Sequence, residues 1–234
     1  MKRLLLLILC GLAPVVAMAS PPAPYTAHYQ VLRNGTRLGV ATISFRPLAN
    51  GRYELRTDTQ GSEGLAAIAG VSINERSIIR WNGSMPETVA YSFRQKMAWK
   101  SKDKGFQVDA SNGRIDSQDK DRHFSPPYQP GVLDRNAITV ALMADLASGK
   151  TGELRYLVPD HDVLQTQVFH AGASTRLDTA LGPQRTVRVD RVRESGDGRT
   201  TSFWLAQDRN YLPVRIMQRE PNGETIEMRI SSSR

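Results

Sequence analysis

The sequence predicts a mainly antiparallel all-β fold, built as a strongly curved sheet or as an open or partly closed β-barrel. The chain has five Asn-Gly pairs, most of them between short runs of alternating apolar and polar residues, at Asn34-Gly35, Asn50-Gly51, Asn82-Gly83, Asn112-Gly113 and Asn222-Gly223. Both residue types tolerate the positive φ that tight turns between antiparallel strands require. We expect about ten strands or more, and a sheet of that size usually curls.

The first 19 residues predict a secretory signal peptide. Two basic residues precede an unbroken apolar run, and the segment ends on Ala-Met-Ala, the small-x-small pattern that signal peptidase cleaves. We therefore expect cleavage after Ala19, export to the periplasm and a single mature domain over residues 20–234. The only cysteine, Cys10, lies inside the leader, so the mature chain should contain no disulfide.

The charge of the chain bears on its partners. Lys and Arg number 31 against 23 Asp and Glu, a formal net charge of +8, of which the leader supplies only Lys2 and Arg3. In a periplasm this favours a lipid or another anionic envelope component as partner, and nucleic acid is not expected there. No run after the leader has the about 20 apolar residues that cross a bilayer, so we expect no transmembrane segment in the mature chain.

The C-terminal hairpin can be registered residue by residue. With Pro-Asn-Gly at residues 221–223 as a three-residue loop, Ile216 lies opposite Met228, and the apolar side chains share one face. A second loop of this kind pairs Phe45 with Leu55. The chemistry of the loop supports this register, because Pro, Asn and Gly suit successive positions of a type I turn closed by a bulge.

Other strands are predicted with less detail. In the hairpin around residues 34–35 two registers remain open, because either Leu38 and Val40 or Ala41 and Ile43 could supply the inward side chains. Alternation predicts further strands at residues 88–100, 106–110, 154–158, 163–170, 174–179, 186–193 and 201–206.

One amphipathic helix interrupts the strands at about residues 134–148. Its apolar residues recur with helical spacing at Ile138, Ala141, Leu142 and Leu146. Asp134 is placed to cap the first turn, and Gly149 follows the last one. A lone amphipathic helix must bury its apolar stripe, so we interpret it as a plug for one end of the curved sheet rather than as a regulatory element.

Motifs for catalysis or metal binding are weak. The sequence contains no nucleophile elbow, no zinc-protease motif and no phosphate-binding glycine loop. Asp-His-Asp at residues 160–162, with His170 nearby, suggests a metal cluster, but alternation points both carboxylates away from the imidazole and favours a polar turn. The carboxylates at residues 116–121 lack the glycine and closing glutamate of a calcium loop. We predict no catalytic residue, no metal and no cofactor.

Basic residues are the better candidates for a binding role. Arg94, Lys96 and Lys100 share parity in the strand predicted over residues 88–100, so they would form a cationic ridge on one face. Such a ridge could hold the headgroup of an anionic ligand at the rim of the sheet. We favour the alternative that it protects an edge strand from pairing with other chains.

A second pair of cations lies in the C-terminal hairpin. The register that pairs Ile216 with Met228 also places Arg215 opposite Arg229 on the outer face, where like charges repel. Either Glu227 on the diagonal or an anionic partner would relieve this repulsion.

Several patterns together resemble a known family. The chain opens on Tyr-x-Ala-x-Tyr-x-Val-x-Arg-Asn-Gly-x-x-x-Gly-x-Ala over residues 25–41 and has Pro-Gly-Val-Leu-Asp at 130–134. It closes on Trp-Leu-Ala-x-Asp at 204–208 and Leu-Pro-Val-Arg-Ile at 212–216. These patterns resemble the bacterial exported domain-of-unknown-function family 3108, over roughly residues 25–230. The resemblance implies an exported all-β protein without assigned catalytic residues. More distantly, the architecture is similar to that of half-barrel periplasmic lipoprotein carriers.

These observations predict a non-catalytic envelope protein that binds a hydrophobic or amphiphilic component in the concave face of its sheet. Residues 64–71 are apolar and would form a short helix or a mobile lid. The ligand would be lined by Leu65, Ile68, Val71, Trp99 and Trp204 and met at the rim by Arg94, Lys96, Lys100, Arg215 and Arg229. The alternative is a module that docks on an envelope protein complex or on peptidoglycan, and a hydrolase is the reading with least support.

Overall fold

The computed structural model describes residues 20–193 and 198–234, without the side chain of Leu65. The predicted signal peptide lies outside these residues. In the described chain, fourteen strands form one sheet. They are β1 (Tyr25–Arg33), β2 (Thr36–Pro47), β3 (Arg52–Gly61), β4 (Ser72–Asn82), β5 (Met85–Met97), β6 (Lys100–Asp109), β7 (Arg114–Asp119), β8 (Arg122–Phe124), β9 (Gly152–Asp160), β10 (Val163–Thr179), β11 (Gly182–Val192), β12 (Thr200–Ala206), β13 (Leu212–Arg219) and β14 (Thr225–Ser233). Two α-helices, α1 (Gly64–Ile68) and α2 (Ile138–Ala147), and two single 3-10 turns, Ala49–Gly51 and Gln207–Arg209, accompany them.

The strands are arranged in two meanders. Across the sheet the order is β8-β7-β6-β5-β4-β3-β2-β1-β14-β13-β12-β11-β10-β9. Every neighbouring pair is antiparallel, and the meanders β1 to β8 and β9 to β14 meet where β1 pairs with β14. The end strands β8 and β9 do not pair with each other, so the sheet is not closed. The predicted all-β, mainly antiparallel fold with an open curved sheet is confirmed.

Loop chemistry correctly predicted the registers of two hairpins. Ile216 pairs with Met228 in β13 and β14, and Phe45 pairs with Leu55 in β2 and β3. In both cases a short loop with Gly at positive φ closes the hairpin, at Gly223 and at Gly51.

A β-bulge decides the register that the sequence left open. Ala27 pairs with Ile43 and Tyr29 with Ala41, and the register then shifts between Val31 and Leu32. Ala41 and Ile43 are therefore buried, whereas the side chain of Val40 is exposed. The shift explains why both registers looked compatible with burial, because each half of the hairpin follows its own alternation.

Helix α2 packs against one face of the sheet, here called the inner face. All residues from Ile138 to Leu146 are buried. The core around them includes aromatic and aliphatic side chains from both meanders, among them Tyr29, Phe45, Leu55, Phe169, Phe203 and Leu205. The helix therefore fills the inner face at its own end of the sheet, and it has no solvent-facing polar stripe. A helix that is buried all round belongs in a core, and its one carboxylate, that of Asp145, accepts a hydrogen bond from the Tyr156 hydroxyl at 2.8 Å.

The helix is also shorter than the predicted range of residues 134–148. Asp134 caps the turn before α2 rather than the helix itself, since its carboxylate accepts hydrogen bonds from the backbone N–H groups of Asn136 and Ala137 at 2.8 and 2.9 Å. Regular helix then begins at Ile138. Gly149 follows the C-terminus at a φ of 87°, as expected for a residue that ends a helix.

Residues 125–133, here called the crossing segment, bring the two ends of the sheet together. The Val132 carbonyl accepts a hydrogen bond from the Thr88 N–H of β5, and the Leu133 N–H donates to the Leu157 carbonyl of β9. At the other end of the segment, the Ser125 N–H donates to the Asp162 carboxylate at 2.9 Å. The crossing segment thus spans the gap that the unpaired end strands leave.

Neither helix in the described part of the chain has the length and apolar character needed to cross a membrane.

Candidate binding groove

A buried polar cluster joins the start of α2 to β4 and β5. The carboxyl group of Asp134, 1% exposed, accepts hydrogen bonds from the hydroxyls of Ser77 and Thr88 at 2.9 and 2.8 Å. Burial raises the pKa of Asp134 to about 6, against the opposing effect of its hydrogen bonds to Ala137, Thr88 and Ser77. Among the described residues the two hydroxyls contact Asp134 and the Asn136 amide, and no histidine or cysteine contacts them.

The next residue, Arg135, attaches to the same strands. Its guanidinium donates to both carboxylate oxygens of Glu75 at 3.0 Å and to the Tyr91 hydroxyl at 2.9 Å. It also lies 4.2 Å from the centre of the Phe93 ring, a distance typical of a cation-π contact. Burial and the charge of Glu75 raise the pKa of Tyr91, so this hydroxyl stays protonated and donates to Glu75 at 2.7 Å. Both clusters therefore position α2 on the sheet.

A groove of about 1040 Å³ lies on β3 to β8. Its lining includes a row of registered neighbours that face away from α2, Arg56, Arg76, Ser92, Gly105 and Gln118. Gly105 lies within this row, and a Cβ atom there would approach the Tyr91 carbonyl oxygen to 2.7 Å. The absence of a side chain at Gly105 therefore both permits the close approach of β5 and leaves the middle of the row without a side chain.

Arginines dominate the charged lining of the groove. Arg56, Arg76, Arg94 and Arg114 are each half exposed, at 52, 51, 62 and 51% of the side chain. Each one already contacts a carboxylate. Arg94 pairs with Asp103 at 2.7 Å, Arg56 with Asp58 at 2.6 Å, and Arg114 with Asp116 at 3.1 Å. A planar guanidinium held on one side in this way can still present free N–H groups to a phosphate or carboxylate.

Aromatic residues lie on the strands that carry the groove, but their side chains face the other way. Tyr91, Phe93 and Phe106 alternate with the row, and Tyr91 and Phe93 contact Arg135 on the side of α2. Lys104 pairs with Asp119 at 2.6 Å, and this contact lowers the pKa of Asp119. The side chains that share the face of the row, among them Arg76, Arg94 and Gln118, are thus charged or polar, as the site of an oxyanion would require.

The structure separates the residues of the predicted cationic ridge. Strand β5 ends at Met97, and Lys100 begins β6, where it pairs with Met97 across the turn. Lys100 therefore lies on the opposite face from Arg94 and Lys96, and the prediction that the three share one face is wrong. Only Arg94 of the three lines the groove.

The predicted lid residues and Trp99 lie together at one end of the sheet. Ile68 of α1 is 81% exposed and Trp99 is 75% exposed. The Ala98 N–H donates to the Ala69 carbonyl at 2.8 Å, which holds the α1 end against the β5–β6 turn. Val71 is half-buried, and the side chain of Leu65 lies outside the described residues. Of the described side chains, those of Ile68, Val71 and Trp99 do not line the groove, and the contact of all four residues with a ligand stays a prediction.

Trp204 is buried between two arginines. The guanidinium groups of Arg188 and Arg215 lie 5.2 and 4.5 Å from its ring centre, and its strand neighbours in register are the same two residues. Only 8% of Trp204 is exposed. A role in lining a ligand stays a prediction for this residue.

Arg215 and Arg229 pair as predicted, and Glu227 contacts both. The repulsion between the two arginines is therefore relieved by the carboxylate of Glu227, the first of the two explanations considered above. The same arginines border a smaller cavity of about 390 Å³, together with Gln30 and residues 177–180 of the β10–β11 hairpin.

Histidine and carboxylate groups do not converge on a metal site among the described residues. His161 forms the turn between β9 and β10 at a φ of 55° and lies 2.8 Å from Asp160. Asp162 is bound to the Ser125 N–H, as described above.

The sequence reasoning missed Arg56, Arg76, Arg114 and Gly105. Alternation along a strand would predict that Arg56 and Arg76 face outward, because each follows a residue that faces inward. Their meeting in one row depends on the pairing of β3 with β4. The signal at Gly105 was an isolated glycine within a strand, which often marks a close approach of two backbones.

Comparison with known proteins gives the family and the fold. A solved β-barrel-like protein of the domain of unknown function DUF1849, from Brucella abortus, has a TM-score of 0.56 and 12% identity over 93% of this chain and 98% of its own. A candidate lipoprotein from Parabacteroides distasonis covers the same shares at 10% identity, but its TM-score of 0.33 is too low to indicate a common fold. No curated protein matches. The family described as "Protein of unknown function (DUF3108)" matches residues 24–231, nearly the whole described chain. The chain therefore belongs to the DUF3108 family.

Proposed function

We propose that this protein is a non-catalytic periplasmic binding protein, which holds the phosphate or carboxylate groups of an amphiphilic envelope component in the groove on β3 to β8. The observation that carries the proposal is the set of four half-exposed arginines around one groove, at Arg56, Arg76, Arg94 and Arg114. Arginine presents a fork of donors that matches phosphate and carboxylate oxygens.

The packing of α2 limits the kind of ligand that the protein can hold. The inner face beside the helix is filled by buried side chains, so it offers no space for an acyl chain there. Phe93 and Phe106 are buried and face α2, so the face of the groove carries charged and polar side chains. A ligand that presents a charged headgroup suits this lining better than a fully buried lipid.

The same filled inner face favours a second candidate, a module that docks on peptidoglycan. Peptide stems of peptidoglycan carry carboxylates, which the same arginines could bind. The shared chemistry is an oxyanion, and the source of that oxyanion distinguishes the two functions.

Two soluble probes separate these sources. Short-chain phosphatidylglycerol below its micelle concentration and a muropeptide are titrated against the protein by calorimetry. Loss of a charge-assisted hydrogen bond costs about 1.5–3 kcal/mol, so Arg76→Gln and Arg94→Gln should each weaken binding roughly tenfold or more. Arg155→Gln is the matched control, since Arg155 is 61% exposed and pairs with Glu153 at 2.7 Å, as Arg94 does with Asp103.

Binding of the phospholipid that depends on Arg76 and Arg94 would support the first function. Binding of the muropeptide alone, with the same dependence, would support the second. If neither probe binds, or if Arg94→Gln and Arg155→Gln behave alike, the groove is not an oxyanion site.

A further inference from the structure

Two large apolar side chains are exposed at the end of the sheet where α1 meets the β5–β6 turn. Ile68 and Trp99 are 81% and 75% exposed. The Ala98 N–H donates a hydrogen bond to the Ala69 carbonyl, which joins the two segments. These residues are the chain neighbours of Trp99 and Ile68. Tryptophan is the residue that prefers the headgroup level of a bilayer, because its ring is apolar and its indole N–H is polar.

Lysines surround this pair of apolar side chains. Lys96 lies on one face of the two strands that the turn joins, and Lys100 and Lys102 lie on the other, so the three lysines border the turn from both sides. None of the three forms an ion pair within the described residues. Lys104 and burial together lower the pKa of Lys102, so an approaching anion would relieve repulsion at this position.

The acidic residues nearby are already neutralised. Glu63 pairs with Arg37 at 2.9 Å, and Asp103 pairs with Arg94 at 2.7 Å. The surface formed by Ile68, Trp99, Lys96, Lys100 and Lys102, here called the tip, therefore keeps three uncompensated positive charges beside its apolar pair. An apolar centre with a basic border is the composition of a surface that inserts shallowly into an anionic bilayer.

We propose that the tip docks the protein on an anionic lipid bilayer, with Trp99 and Ile68 at the headgroup level and the three lysines against the lipid phosphates. The proposal is independent of the groove, because no tip residue lines it. A protein held at the membrane in this way is a peripheral one, since the contact is a turn and a five-residue helix.

Vesicle sedimentation tests the proposal. The protein is mixed with vesicles of phosphatidylcholine alone or of phosphatidylcholine with phosphatidylglycerol, and the bound fraction is measured after centrifugation. We expect binding only to the anionic vesicles, and quenching of Trp99 fluorescence by lipids brominated on the acyl chain. The quenching is assigned by comparison with Trp99→Phe, because Trp81 and Trp204 remain in that variant.

Single variants separate the contribution of the inserted side chain to vesicle binding from that of the lysine charges. Trp99→Ser should weaken binding to the anionic vesicles roughly tenfold, and each of Lys96→Gln and Lys100→Gln about fivefold. Val163→Ser is the apolar control, because Val163 is 55% exposed on a different hairpin. Arg52→Gln is the charge control, since Arg52 begins β3 at the end away from Gly61 and α1. Both controls should bind as the wild type does.

Equal binding to both vesicle types, no binding to either, or equal effects of Trp99→Ser and Val163→Ser would overturn the proposal and point to a protein partner for the tip. Trp99→Ser should leave the binding of soluble short-chain phosphatidylglycerol unchanged, whereas Arg76→Gln, which weakens that binding, should leave the quenching of Trp99 by brominated lipid unchanged in the vesicle-bound protein. The two proposals can therefore fail separately. Unchanged thermal unfolding of Trp99→Ser, expected for an exposed side chain, excludes a general loss of fold.

Discussion

The hydroxyl of Thr88 donates a hydrogen bond to the carboxyl group of Asp134 at 2.8 Å and accepts one from the Asp134 backbone N–H at 3.0 Å. This reciprocal pair, with the bond from Ser77, joins the turn before α2 to two central strands. The group is buried, so the charge state of Asp134 should affect the stability of the whole domain.

Asp134 should make the stability of the protein depend on pH. Because its folded pKa of about 6 exceeds the usual 3.8, the folded state binds the proton more tightly. This contribution is complete below about pH 4 and is lost as the pH rises to about 6, an effect of about 3 kcal/mol at most. Asp134→Asn should flatten this part of the profile in urea unfolding. A wild-type protein that gains stability relative to the variant as the pH rises from 4 to 6 would contradict the prediction.

Glu227 should stabilise the hairpin by compensating Arg215 and Arg229. Burial acts to raise the pKa of Glu227, but the two arginines outweigh it and lower the pKa overall. Its stabilisation is therefore present above the usual pKa of a glutamate and is lost as the pH falls through the lowered value. We expect Glu227→Gln to cost about 2 kcal/mol at neutral pH, because a buried carboxylate between two cations is removed.

The double variant Arg215→Gln with Glu227→Gln tests this cause. It should be less destabilised than the sum of the single variants, since it removes one of the two facing cations. The free energies of unfolding are measured in urea. If the losses of the two single variants add up to that of the double variant, Glu227 acts by packing alone.

Gly39→Ala should be among the most harmful small substitutions in the sheet. A Cβ atom at Gly39 would lie 2.1 Å from the Gln60 carbonyl oxygen in the paired strand β3. The contact is with backbone, which cannot move without breaking the register, so we expect a loss of about 3 kcal/mol or more. Gly35→Ala is the control, because Gly35 has a φ of 81° but open space around it. It should cost about 1 kcal/mol, and equal losses by thermal unfolding would refute the steric argument.

Leu142→Ala should show that α2 is part of the core rather than a removable cover. Leu142 is fully buried in the main apolar cluster, and truncation of such a side chain typically costs about 2–5 kcal/mol. The matched control is Ile68→Ala on the exposed helix α1, which should change the stability by less than about 0.5 kcal/mol. A small effect of Leu142→Ala in urea unfolding would mean that α2 can leave the sheet.

Local chemistry decided which parts of the fold could be predicted. The pairing of Ile216 with Met228 follows from three loop residues, because a short turn determines the register of its two strands. The turn at Ala98 and Trp99 gave no such signal, since neither residue favours a turn, and so Lys100 was placed on the wrong strand and face.

The groove was harder to predict for a related reason. Its arginines come from different strands, and their meeting depends on which strands pair rather than on spacing along the chain. The bonds of the crossing segment to β5 and β9 connect residues far apart in sequence, such as Thr88 and Val132. Nothing in a local window encodes such contacts.

The pairing of β1 with β14 sets the route by which this chain can fold. Every other pair of neighbouring strands is consecutive in sequence, whereas this one joins residues such as Arg33 and Ile226. Two meanders can each form from local contacts, but the sheet is complete only after closure of a loop that contains nearly the whole domain, and such closure is slow. A circular permutant that joins β14 to β1 by a short turn and opens the chain between β8 and β9 would make every strand pair local, at the cost of the link to α2.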